Sequence, residues 1–96
     1  MPTITLILYG KDDCILCDRL ESMLKPHVEA SRDRVDIRIT KRDIFDDPQW
    51  AAWYRYRIPV LSHEGKAILE GGPTEAEIAT AIGAVVKRSK RGTLGG

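Results

Sequence analysis

Apolar residues crowd the stretch Thr3–Tyr9, TITLILY, with little polar interruption. Ile4, Leu6 and Leu8 alternate, and Ile7 adds an apolar position on the opposite face. Such a run predicts a central strand covered on both sides. Gly10 is expected to end it. From about Cys14 the period changes. Leu16, Leu20, Met23, Leu24, His27 and Val28 recur at spacings of three and four, the stripe of an amphipathic helix. Asp18, Arg19, Glu21, Ser22, Lys25 and Glu29 take its other face. Pro26, inside the pattern, is expected to kink the helix or end its first part.

The polar turn SRDR (Ser31–Arg34) leads into VDIRIT (Val35–Thr40), which alternates cleanly and predicts a half-exposed edge strand. Asp47 then suits a helix N-cap and Pro48 the first helical position. Trp50, Trp53 and Tyr54 are expected to form the packed stripe of that short helix. RIPVLS (Arg57–Ser62) reads as a strand that opens with a proline. HEGK makes a hairpin turn, and KAILEG (Lys66–Gly71) is the return strand. Thr74–Glu77, TEAE, is a capping box that starts a last helix, with Ile78, Ile82, Val85 and Val86 as its buried stripe. The basic, glycine-rich end is expected to fray.

The predicted order is β-α-β-α-β-β-α. Strands joined through a helix run parallel with a right-handed crossover, and a tight hairpin runs antiparallel. An α/β fold with one four-stranded mixed sheet flanked by three helices satisfies both. Residues 1–90 are read as a single domain and 91–96 as a flexible basic, glycine-rich tail.

The chain has 96 residues, enough for one small domain with a modest core. Its net charge of +1 singles out no nucleic-acid partner. The apolar run Ile4–Tyr9 is too short to span a bilayer, and no secretory pattern surrounds it. A cytoplasmic protein without nucleic-acid or membrane partners is expected, a monomer. Two cysteines are too few for a secreted disulfide scaffold.

Those two cysteines, Cys14 and Cys17, carry the candidate chemistry. Their spacing puts both sulfurs on one face of a helix, one turn apart and within bridging distance. Cys14 falls where the helix begins, so free backbone N–H groups and the positive end of the dipole favour its thiolate. Lys11 is close enough in sequence to add a cation, while Asp12 and Asp13 are expected to face solvent. Cys17 is expected to be the more buried, with Leu16 and Leu20 on its core side. The asymmetry assigns attack on a substrate disulfide to Cys14 and resolution of the mixed disulfide to Cys17. A CxxC that follows a strand and opens a helix points to redox chemistry. A zinc site needs four ligands, and one chain offers two thiolates here. Two chains together would offer four, which keeps open a binding or carrier module holding a metal or iron–sulfur cluster at a dimer interface.

Several segments resemble one family. LYGKDDCILC is similar to the glutaredoxin active-site segment. RIPVL resembles the segment that carries the cis-proline of thioredoxin-fold proteins, and EGGPTEAE the paired-glycine turn before the last glutaredoxin helix. LKPHV and DPQWAAWYRYRIPVL resemble a subgroup of small, mostly bacterial glutaredoxin-like proteins. The likeness covers about residues 3 to 86 and implies a thioredoxin fold and a thiol-disulfide oxidoreductase. By that resemblance Pro59 is cis and walls the site, and the backbone of Ile58 pairs with an extended peptide or the cysteinyl part of glutathione. Lys11 and Arg57 approach a glutathione carboxylate, while Gly71, Gly72 and Thr74 receive the γ-glutamyl carboxylate. The implied substrates are protein disulfides or glutathionylated proteins, with glutathione as a donor and no tightly bound cofactor. The chain departs from the common pattern at Ile15 and Leu16, where glutaredoxins usually have proline and an aromatic residue. It departs again at Ile58 and at Thr74.

Lys87, Arg88, Lys90 and Arg91 form a basic cluster best read as a solvated helix end. His27 is read as a packing residue and His63 as a solvent-exposed one.

Overall fold

The computed structural model describes residues 1–95, with side chains through Ser89. Four strands form one sheet: β1 (Thr3–Gly10), β2 (Asp36–Asp43), β3 (Val60–His63) and β4 (Lys66–Glu70). Three helices join them: α1 (Ile15–Ala30), α2 (Pro48–Tyr54) and α3 (Glu75–Gly95), and a 3-10 turn at Ile44–Asp46 precedes α2. The spatial order is β2-β1-β3-β4. β1 pairs parallel with β2 from Thr3 opposite Asp36 to Gly10 opposite Asp43. It pairs antiparallel with β3, Leu6 opposite His63 and Tyr9 opposite Val60.

The apolar run of β1 is central because both of its faces are used. Ile4, Leu6 and Leu8 join Leu20 and Leu24 of α1 and Ile78, Ile82, Val85 and Val86 of α3 in one aliphatic core. Leu6, Leu20, Leu24 and Ile78 are fully buried, and truncating any of them to alanine costs about 2–5 kcal/mol. On the opposite face Tyr9, Ile44 and Val60 are buried with Ile7, Trp50, Tyr54 and Ile58 packed against them. Here the contacts are aromatic. Tyr9 meets Trp50 edge-on at 5.7 Å and Tyr54 at 4.6 Å between ring centroids.

Local chemistry sets the turns. The β3–β4 hairpin closes through Glu64 and Gly65, both at positive φ (51° and 80°), as a two-residue primed turn requires. Asp47 caps α2 by accepting from the Gln49 amide at 2.9 Å. Asp43 does the same for Phe45 at 2.9 Å, which starts the 3-10 turn.

Gly10 does end β1, as its last paired residue, opposite Asp43. Several expectations are corrected. β2 extends to Asp43 because Lys41, Arg42 and Asp43 keep the register with β1. Pro26 neither ends α1 nor shortens it; it lies on the exposed face, where the carbonyl deprived of its amide donor can take water. Trp53 is half exposed, because Trp50 and Tyr54 fill the space over Tyr9. Leu16 is exposed as well. The His63 side chain is largely covered rather than solvated. The tail expected at 91–96 falls on side chains, and on Gly96, outside the described residues.

Candidate functional site at the start of the first helix

The turn that leaves β1 presents the cysteines. Asp13 stands at φ 55°, the left-handed region that aspartate tolerates better than most side chains. The next residue, Cys14, is extended (φ −115°, ψ 102°) and is the N-cap of α1. Serine, threonine or aspartate normally fills that place with an oxygen. Here the cysteine sulfur does so: Cys14 Sγ accepts the Cys17 amide at 3.1 Å. The cysteines are joined as a disulfide with their Cα atoms 5.2 Å apart. Donation from a fixed helix amide favours charge on the sulfur once that bond is reduced, and the helix dipole acts in the same direction.

The two cysteines differ in surroundings. Cys14 is partly exposed and Cys17 is buried. Cys17 packs against the end of β1, and a Cβ built on Gly10 would lie 3.0 Å from its Sγ and 3.3 Å from its Cβ. Gly10 therefore makes room for the second sulfur. The bare sequence showed a glycine before the pair but not the sulfur above it. A hollow of about 280 Å³ opens beside Cys17, bordered by Gly10, Lys11, Glu21, Lys41 and Arg42. Lys11 reaches this hollow and is exposed. Lys41 pairs with Glu21 across it at 3.2 Å. Arg42 donates to the Tyr9 hydroxyl at 3.3 Å and lies over the Trp50 ring at 4.9 Å.

The segment Arg57–Pro59 reaches the same end of the sheet, since Val60, the next residue, is opposite Tyr9. The Ile58–Pro59 bond is cis. Gly71, at φ 66°, ties this segment to the turn after β4: its amide donates to Pro59 O at 2.8 Å and to Arg57 O at 3.2 Å. Gly72 in turn faces Leu16, with the leucine Cδ2 3.5 Å from where a Cβ would be. The start of α1, the proline segment and the glycine turn are thereby neighbours although they are far apart in sequence.

Arg57 is occupied. Its guanidinium forms a two-pronged ion pair with Glu70, Nε to Oε1 at 3.1 Å and Nη2 to Oε2, and Nη1 donates to Trp53 O at 3.3 Å. The bonds to Arg57 hold the Glu70 carboxyl below its ordinary value, and those to Glu70 raise Arg57. The start of α3 is occupied too. Thr74 Oγ1 accepts the Glu77 amide at 3.1 Å, and Glu77 Oε1 accepts the Thr74 amide at 3.0 Å. That amide bond, and the side chain of Thr74, lower the Glu77 carboxyl. Glu75, in the same turn, meets His27 of α1 at 2.6 Å. Glu70 and the His27–Glu75 link escaped sequence reasoning, because both join residues of different elements. Among the described residues no cluster of three or more His, Cys, Asp or Glu side chains suits a metal ion. No described helix is long and apolar enough to cross a membrane.

The family model of the glutaredoxin-like domain (DUF836) matches residues 5–83, most of the chain and all of this site. The protein belongs to that glutaredoxin-like family. Its structure is similar to that of a structural-genomics target protein from X. campestris, with a TM-score of 0.65 and 28% identity over 82% of this chain and 96% of that one. Thioredoxin 1 from Thermosipho africanus matches with a TM-score of 0.56 at 14% identity, covering 91% and 99% of the two chains. A thioredoxin variant from Halobacterium salinarum matches with a TM-score of 0.50 at 26% identity, covering 86% and 74%. The glutaredoxin-like protein thus has the thioredoxin fold. Comparison with the curated proteins finds no match.

Proposed function

We infer that this glutaredoxin-like protein is a thiol-disulfide oxidoreductase that reduces protein disulfides or glutathione mixed disulfides through Cys14 and Cys17. The observation that carries the reading is the pair itself. One sulfur caps a helix at the surface and accepts its third-residue amide, and a buried sulfur is bonded to it.

The reaction uses what each position supplies. The Cys14 thiolate attacks one sulfur of a substrate disulfide along the S–S axis, forming a Cys14–substrate disulfide and releasing the other sulfur as a thiolate. Cys17 gives up its proton to solvent at the hollow and attacks Cys14 Sγ. The Cys14–Cys17 disulfide forms and the second substrate thiolate leaves. Two electrons pass from the dithiol to the substrate, which takes up two protons as its thiols form. The disulfide-bonded protein is the end of that half-cycle, and a thiol donor such as glutathione would return it to the dithiol. Gly10 keeps Cys17 close behind Cys14, and the cis-Pro59 segment supplies the neighbouring wall along which an extended substrate lies.

The test is reductase turnover on a protein disulfide and on a glutathione mixed disulfide with Cys14→Ser and Cys17→Ser. Cys14→Ser is expected to lose both activities. Cys17→Ser is expected to lose protein-disulfide reduction and to accumulate a mixed disulfide on Cys14, visible as a mass adduct. Undiminished turnover in Cys14→Ser overturns the mechanism.

A further inference from the structure

Apart from the exposed Lys11, the groups around the cysteines that would attract an anion are already engaged within the chain. Arg57 gives both prongs of its guanidinium to Glu70. The Thr74 amide at the start of α3 goes to the Glu77 carboxylate, and the Gly71 amide goes to Pro59 and Arg57 carbonyls. Lys41 is paired with Glu21, and Arg42 is held between Tyr9 and Trp50. Lys11 shares the hollow with Asp12, Asp13 and Asp18. An incoming carboxylate would meet Glu77 at the start of α3 and these aspartates at the hollow.

What the site offers instead is apolar. Ile15, next to Cys14, is 84% exposed, and Leu16 is 45% exposed. Neither packs in either core cluster. Leu16 leans on Gly72, so the apolar step extends from the helix start to the glycine turn. A soluble domain of this size has a reason to leave two large aliphatic side chains beside its reactive sulfur when something else covers them during the encounter. Such an occupant carries a disulfide, since Cys14 is the reactive group beside them.

We propose that Cys14 takes its electrons to disulfides on polypeptides whose cysteine is flanked by apolar, neutral or basic side chains, and that the site discriminates against small anionic disulfides such as oxidised glutathione. Ile15 and Leu16 are the specificity-determining residues: they bury an apolar side chain of the substrate while the exchange written above proceeds. Glu70 and Glu77 act in the opposite sense, by withholding Arg57 and the start of α3 from a carboxylate. The proposal rests on the redox reading of the pair and narrows it.

The test uses the whole reduced protein in thiol-free buffer and follows oxidation of its dithiol under pseudo-first-order conditions. The probes are oxidised glutathione, a cyclic peptide disulfide with leucine beside one cysteine, and the same peptide with glutamate in that place. The leucine peptide is expected to react about tenfold faster than the glutamate peptide, the scale expected when one apolar side chain is buried and like charges are kept apart. In the double variant Ile15→Ser, Leu16→Ser the leucine-to-glutamate ratio should fall toward one. A rate ratio is insensitive to a general loss of folded protein, so a destabilised variant still answers. Glu77→Gln should raise the rate with oxidised glutathione relative to the leucine peptide, more at low salt than at high salt. Equal rates for both peptides, or a ratio unmoved in the double variant, overturns the proposal and leaves the redox reading intact. Failure of the dithiol to exchange with any probe overturns the redox reading, and the proposal with it.

Discussion

The starts of α1 and α3 are two helix N-termini at one end of the molecule, and they are finished in opposite ways. At α3, Thr74 and Glu77 satisfy each other's amides with two oxygens, and a carboxylate already sits at the positive end of the dipole. At α1 the cap is a sulfur that accepts the Cys17 amide, and the acidic residue of the first turn, Asp18, is exposed. The same backbone geometry thus makes a closed structural cap in one place and a reactive group in the other. The difference lies in what fills the cap. An ionised side chain three residues on neutralises the site for good, whereas the Cys14 sulfur accepts its amide as part of a disulfide and carries charge there only once it is reduced.

The largest expected effect breaks this contrast at the reactive end. In the reduced protein, Cys14 should be alkylated about tenfold or more faster than Cys17 at neutral pH, given its exposure and the helix amide at its sulfur. Peptide mapping after a short iodoacetamide pulse reads this directly, and equal labelling would contradict the assignment of nucleophile. Next comes Gly10→Ala, which crowds the Cys17 sulfur. It should destabilise the oxidised fold by about 1–3 kcal/mol in denaturant unfolding. It should also slow resolution of the mixed disulfide without removing the first attack.

At the closed end the effects are smaller. Thr74→Ala removes half of the box and should cost about 1 kcal/mol, seen as a lower Tm of both the oxidised and the reduced protein. The smallest is a pH effect. Glu77 ionises more readily folded than unfolded, so the folded chain binds fewer protons in the acid range. Its contribution is complete above the ordinary carboxylate value and fades as the pH falls through the lower folded-state value. Glu77→Gln should flatten the fall in stability between neutral and acid pH, leaving the share of Glu70, which is lowered in the same sense by Arg57. An unchanged slope would show that the box is open in solution.

Local patterns decided most of this fold, and the reason is that each is a short-range constraint. TITLILY could not be apolar on both faces without being covered on both, and Tyr9 and Leu8 face opposite cores as that implies. The turn pair Glu64–Gly65, the Asp47–Pro48 start and the Thr74–Glu77 box are each complete within a few residues. The cysteine pair was legible for the same reason: a three-residue spacing at a strand-to-helix junction fixes where two sulfurs go. Pro26 does not end α1, because on the exposed face the carbonyl left without its amide donor can take water.

Tertiary structure alone decided how charge and space are allotted around the sulfurs. Arg57 looks available in the sequence, yet Glu70 holds it, and only the pairing of Glu70 with Val60 across β3 and β4 brings Glu70 to Arg57. Leu16 fits a buried helical stripe by spacing, but at the first turn of α1 the stripe overhangs the edge of the core and meets Gly72 instead. Gly10 ends its strand as the sequence suggests, but that it also makes room for the Cys17 sulfur shows only in the tertiary structure. Sequence spacing by itself determined that two thiols share one helix face. What reaches them, and what is kept away, depends on contacts between elements far apart in the chain, which no local pattern encodes.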